Sequence, residues 1–183
     1  FLNLNKVKRI DAFTSQEAKS LPFEDNSFDL VVVVAVVEHL PFYDRHLFVD
    51  EYYRVLKNGG KIAFLDTPNR HFPLDWHSTG LFFISKMPPE LAYIYVRMFL
   101  RKKYKNVTFQ EFVRPGVGWR NSSYYELLPK SNHFIIDDIT KEAGYLRKNI
   151  ILRFLSWIFK CPQAFFVWNL NVVFQKLSTL EKE

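Results

Sequence analysis

The chain has 183 residues, 48% hydrophobic and 24% charged, which is enough apolar material for one domain with a core and too much for a disordered chain. The net charge is +6, but the basic residues are scattered, and the densest run, Arg97 to Lys105, reads as a solvated helix end rather than a nucleic-acid surface. A single cysteine, Cys161, excludes an internal disulfide and a thiolate metal cluster, and suits a reducing, cytoplasmic compartment.

Taken in order, residues 1 to 8 read as a helix tail or loop, and Arg9 to Thr14 as a short strand. Leu21 to Ser27 is a loop with turn chemistry in Asp25-Asn26-Ser27. Leu30 to Val37 is an unbroken valine-rich run, the pattern of a parallel strand covered on both faces. A helix is predicted over Tyr43 to Lys57, with Phe48, Tyr52, Val55 and Leu56 inward and Asp50, Glu51 and Arg54 outward. Asn58-Gly59-Gly60 ends it, because glycine accepts the left-handed conformation. Lys61 to Leu65 is a second strand, stopped by Thr67-Pro68-Asn69.

Beyond residue 80 the chain is aromatic, with 19 Phe in all. A helix is expected from Pro89 to Lys103, then a loop with Pro115-Gly116 and Gly118, and a short helix from Ser122 or Ser123 to Leu128. His133 to Ile139 and Phe165 to Phe174 read as strands and Arg147 to Phe159 as a helix. Ile150 to Phe174 is greasy, but Arg153, Lys160, Asn169 and Asn171 interrupt it, so a buried helix and strand are expected rather than a membrane span. A lid touching lipid is the alternative.

The blocks LPFEDNSFDLV, EHLP and RVLKNGGKIAFLDTPN, in that order over residues 9 to 77, resemble the second half of a class I S-adenosylmethionine-dependent methyltransferase. The resemblance implies an α/β, Rossmann-like sheet of order 3-2-1-4-5-7-6. Arg9–Thr14 would be strand three, Leu30–Val37 strand four and Lys61–Leu65 strand five. One partial domain is expected over 1–183, with a core at 9–77 and about 132–175 and a helical, aromatic cap at about 78–131. The Gly-x-Gly loop that follows the first strand of the family is not in this sequence, and Phe1 to Lys6 lacks an initiator methionine. The expectation is therefore a sheet incomplete at its N-terminal side, lacking roughly 50 to 80 residues, with impaired cofactor binding.

The implied cofactor is S-adenosyl-L-methionine. By resemblance Glu17 and Ala18 meet the adenine, while Ala35, Val36, Val37 and Glu38 line its amino-acid and sulfonium end. Asp66, Asn69 and Asp75 fall where the acceptor binds, and His39, His71 and His77 are the candidate catalytic bases, since imidazole titrates near neutrality. Some relatives hold a divalent cation with Glu-x-x-Glu-His. Here the first glutamate is replaced in Ala35-Val36-Val37-Glu38-His39, a two-ligand remnant that His71 or His77 would have to complete, and no metal is expected.

The expected activity is methyl transfer to a small-molecule or lipid-like acceptor, with no nucleic acid as partner and with membrane-surface contact left open. A non-catalytic interaction module on the same fold is the competing class. An enzyme using NAD or a nucleotide sugar is disfavoured by the same motifs.

Overall fold

The strand β1, Phe28–Val34, forms from β-branched residues that favour extended backbone. In the computed structural model, which describes residues 19–113, 121–140, 150–160 and 166–179, β1 lies parallel to β2, Leu56–Pro68. Val31 stands opposite Ile62 and Val33 opposite Phe64. Two further strands, β3 (Phe134–Asp138) and β4 (Asn169–Thr179), complete a four-stranded sheet of order β1-β2-β4-β3. Strand β4 is antiparallel to both neighbours. That arrangement is the 4-5-7-6 half of the expected sheet, and the fold is Rossmann-like α/β. The strand expected at Arg9–Thr14 lies outside the described residues.

The helix α1, Arg45–Val55, packs on one face of this sheet. Phe48, Val49 and Tyr53 are fully buried, and the last two join a cluster with Ile62, Phe64, Leu170, Val172 and Phe174. Each such side chain contributes about 1.5–3 kcal/mol by leaving water. The inward face is rotated from the expected one. Tyr53 replaces Tyr52 at the centre, and Glu51, expected outside, is buried. Its carboxylate is satisfied there by the Leu21 N–H at 2.7 Å and by Arg54.

The helix does not end at Asn58-Gly59-Gly60. It stops at Val55 and passes directly into β2, and the glycines lie in an irregularity of that strand. From Phe28 to Leu30 β1 advances two residues while β2 advances five, from Leu56 to Lys61. Gly59 takes φ +79°, and a Cβ on Gly60 would lie 2.8 Å from the Lys57 carbonyl oxygen, so both positions require glycine.

Two burial expectations fail. The valine strand was expected to be covered on both faces, yet Leu30, Val32 and Val34 are 58%, 51% and 49% exposed. Among the described strands β1 is an edge, and only its Val31 and Val33 side faces the core. The helix α5, Ile150–Phe159, has no buried residue, whereas β4, beginning four residues later than expected, is buried through Leu170, Val172, Val173 and Phe174.

The cap holds its own small core. Helices α2 (Pro89–Phe99), α3 (Arg101–Tyr104) and α4 (Phe109–Phe112) gather Ala92, Val96, Tyr104 and Phe112 around Ile84. The expected single helix to Lys103 breaks at Leu100, whose φ of −119° and ψ of 39° leave the helical region. Thr108 and Glu111 close a reciprocal capping box on α4. Ser123 and Glu126 do the same for the 3-10 turn Tyr124–Leu127, where a short helix was expected.

Candidate active site

Because β1 and β2 run parallel, their carboxyl ends open on the same side of the sheet, where ligands bind in open α/β folds. Ala35 leaves β1 with a left-handed φ of 49°, and its N–H donates to the Leu65 carbonyl at 3.0 Å. A 3-10 turn follows at Val37–His39, closed by Leu40 N–H to the Val37 carbonyl at 3.2 Å. The turn exposes Ala35 and Val36 and sends Val37 into the hydrophobic core, fully buried. The Val37 side chain therefore packs in the core.

Arg45, at the start of α1, staples this turn. Its Nη2 donates to the Glu38 carbonyl at 3.0 Å and its Nη1 to Glu126 Oε2 at 2.8 Å. Arg70 reaches the other oxygen of Glu126 at 2.6 Å, and the Phe42 ring lies under both guanidiniums. Burial pulls the Arg45 guanidinium below its ordinary value, and Glu126 counters it. Neither Arg45 nor Glu126 was singled out in the sequence, since they meet only across 81 residues of chain.

The loop after β2 is organised by two residues expected to bind the acceptor. Asn69 is buried, donating through Nδ2 to the Val167 carbonyl at 2.7 Å and accepting from the His71 N–H at 3.0 Å. Asp75 is 3% exposed and accepts from the N–H groups of His77, Ser78 and Thr79, from both hydroxyls, and from Asn121 Nδ2 at 3.0 Å. Six donors occupy this carboxylate, and Asp75 and Asn69 together shape the loop. Asp66 does lie exposed at the end of β2, with φ 52° and its N–H on Asn171 Oδ1 at 2.8 Å.

The fixed loop presents Trp76 and His77. Trp76 meets Trp168 edge to face at 6.3 Å, and a cavity of about 550 Å³ is lined by Trp76, His77, Trp168 and Asn169. The ring of His77 lies 5.8 Å from that of His39, and ligand atoms of Glu38, His39 and His77 fall within 4.8 Å of one another. Three of the expected site residues thus converge. His71 is not among them: it is half-buried, and burial together with Arg70 and Lys86 pushes its imidazole below the ordinary value. Glu17 and Ala18 lie outside the described residues. The two tryptophans were not picked out, although Trp76 adjoins His77 in the loop already marked for the acceptor.

Residues 3–64 match the family model of the methyltransferase domain. The ubiquinone/menaquinone biosynthesis C-methyltransferase UbiE of Brucella canis is 32% identical over 120 residues, covering 61% of this chain and 44% of that protein. The demethylmenaquinone methyltransferase of Staphylococcus epidermidis is 37% identical over 87 residues, 48% of this chain and 33% of the relative. The chain thus spans less than half the length of these curated relatives. A solved methyltransferase from Thermotoga maritima, described as a possible histamine N-methyltransferase, overlaps 87% of this chain and 60% of its own at 19% identity and a TM-score of 0.37. Over the matched residues the chain is thus similar to a methyltransferase domain.

Proposed function

We propose that the protein transfers a methyl group from S-adenosylmethionine to a small aromatic acceptor of the hydroquinone kind. The observation that carries this reading is the pocket lined by Trp76 and Trp168 with His77 on its wall and His39 beside it. An aromatic wall suits a flat ring, and an imidazole at its edge suits a ring hydroxyl. The names of the curated relatives, which act in quinone biosynthesis, support the same acceptor class.

The cofactor, when bound, supplies a methyl already activated by its sulfonium charge. The chain's residues then have to align, shield and deprotonate. Ala35 and Val36, small or apolar and exposed at the end of β1, fit the donor's amino-acid and sulfonium end. By resemblance Glu17 would accept from the adenine amino group and the Ala18 N–H would meet the ring. Asp66 would face the acceptor from the end of β2. His77, with His39 in support, would take the hydroxyl proton as the oxygen or ring carbon attacks.

The test is calorimetric titration with S-adenosylhomocysteine, followed by transfer of labelled methyl to a demethylated naphthohydroquinone. Cofactor binding with label in the quinol, lowered at least tenfold in His77→Ala, supports the reading. Binding without transfer to any quinol or catechol would refute the acceptor class, and absence of cofactor binding would refute the enzyme.

A second reading has an observation of its own. Among the described residues no helix is long and apolar enough to cross a membrane, but α5 exposes Ile150, Ile151, Phe154 and Trp157, and α2 exposes Leu91 and Met98. Such faces suit the interface of a lipid surface and would bring a lipid-like acceptor to a cytoplasmic enzyme. Co-sedimentation with vesicles containing anionic lipid, abolished by Phe154→Ser with Trp157→Ser, is the expected outcome.

A further inference from the structure

We propose that Glu38, His39 and His77 form a site for one divalent first-row metal ion of the borderline class, such as Zn2+ or Co2+. One carboxylate oxygen and one nitrogen from each ring lie within 4.8 Å of one another. Two ligands each about 2.1 Å from a shared tetrahedral ion stand about 3.4 Å apart. Glu38 and His39, at 3.7 Å, are already near that separation; a contraction of up to about 1.4 Å closes the rest of the set, and both imidazoles are exposed and can rotate to supply it.

Glu38 independently points to a cation. Its side chain is 1% exposed, and neither carboxylate oxygen has a hydrogen-bond partner among the described residues. The nearest ring nitrogen, His39 Nε2, is 3.7 Å away, beyond hydrogen-bonding reach. Arg45 does not relieve it through a hydrogen bond, since that guanidinium is committed to the Glu38 carbonyl and to Glu126. A buried carboxylate in this condition is costly, and a metal ion between it and two imidazoles supplies both the charge and the coordination it lacks.

The donor set is chemically coherent. Two neutral imidazoles and one carboxylate select a borderline transition ion over calcium or magnesium, and three protein ligands leave a position open. His77 also lines the tryptophan cavity, so the open position borders that cavity. The scaffold is firm on both sides: Arg45 pins the turn carrying Glu38 and His39, and Asp75 holds the His77 N–H at 3.2 Å. The site stands whatever the reaction. That its open position takes the acceptor hydroxyl and lowers its pKa, with His77 then a ligand in place of the base, rests on the methyl-transfer reading.

The experiment is a Co2+ titration of the purified chain followed by visible absorption, with Zn2+ competition. One bound ion is expected, with Glu38→Gln and His77→Ala each weakening binding by about tenfold or more. On the unaltered protein, Zn2+ should shift the ring resonances of His39 and His77 together and leave His46, His71 and His133 in place. Binding undiminished by Glu38→Gln, shifts spread over all five histidines, or no binding at all would overturn the site. Cobalt binding without methyl transfer would sink the proposed reaction and leave the site intact, while transfer without cobalt binding would do the reverse.

Discussion

The ammonium of Lys176, on β4, donates to the Leu56 carbonyl at the start of β2 at 2.6 Å. It also donates to the Tyr53 carbonyl and to Asn26 Oδ1, each at 2.9 Å, and lies 5.0 Å from the centre of the Phe134 ring. Lys176 is 1% exposed, so the three acceptors and the ring replace its water. The helix α1 ends at Val55 with its last carbonyls turned toward this cation, which satisfies groups that helix ends otherwise leave open. Lys176→Met keeps the stem and leaves the carbonyls of Tyr53 and Leu56 without this donor. It is expected to lower stability by about 2 kcal/mol, read as an earlier urea midpoint with unchanged slope.

Asp75 holds its loop through six donors on two stretches of chain. Asp75→Ala should free Trp76 and His77 without touching β1. Under the methyl-transfer reading, the acceptor KM rises several-fold while affinity for S-adenosylhomocysteine stays within about twofold. Equal loss of both would show that the loop and the cofactor end are one unit.

Arg45 and Glu126 join α1 to the 3-10 turn at Tyr124–Leu127, with Arg45 only 3% exposed. Arg45→Met is expected to cost about 3 kcal/mol, since it leaves a half-buried carboxylate with one cation instead of two. Arg45→Lys should recover little, because an ammonium cannot reach the Glu38 carbonyl and Glu126 with the same planar fork. A double-mutant cycle with Glu126→Gln is expected to give a coupling above about 1 kcal/mol.

Alkaline pH should unfold the protein through its tyrosines. Burial pushes the Tyr52 hydroxyl up to about 12, and burial likewise raises Tyr53 well above its ordinary value of 10.0. In the unfolded chain these phenols lose their protons near pH 10, earlier than in the folded one. Their contribution is therefore complete below pH 10 and is lost as pH rises from 10 toward 12. Urea midpoints measured across that window should fall, and fall less steeply in Tyr52→Phe. A slope unchanged by that substitution would assign the loss elsewhere.

Much of the architecture was legible along the chain because it follows from local chemistry. The valine-rich strand read at Leu30–Val37 falls on Phe28–Val34, and the Lys61–Leu65 strand lies inside Leu56–Pro68. Glu38, His39 and His77 were all marked, because polar residues just past apolar strands fall at a sheet's ligand edge. What each side chain does there was decided only by tertiary contacts. Nothing local distinguishes Asp75, saturated by its loop, from Glu38, buried with its oxygens open. Arg45 meets Glu126, and Trp76 meets Trp168, only because β4 and the 121–128 segment fold back beside the first two strands. Periodicity located α1 but not its inward face, since Tyr52 and Tyr53 are equally apolar and packing against Ile62 and Phe64 chose between them. The valine strand and α5 show the same limit: apolar sequence states what prefers to be covered, and only the arrangement of neighbours determines whether it is.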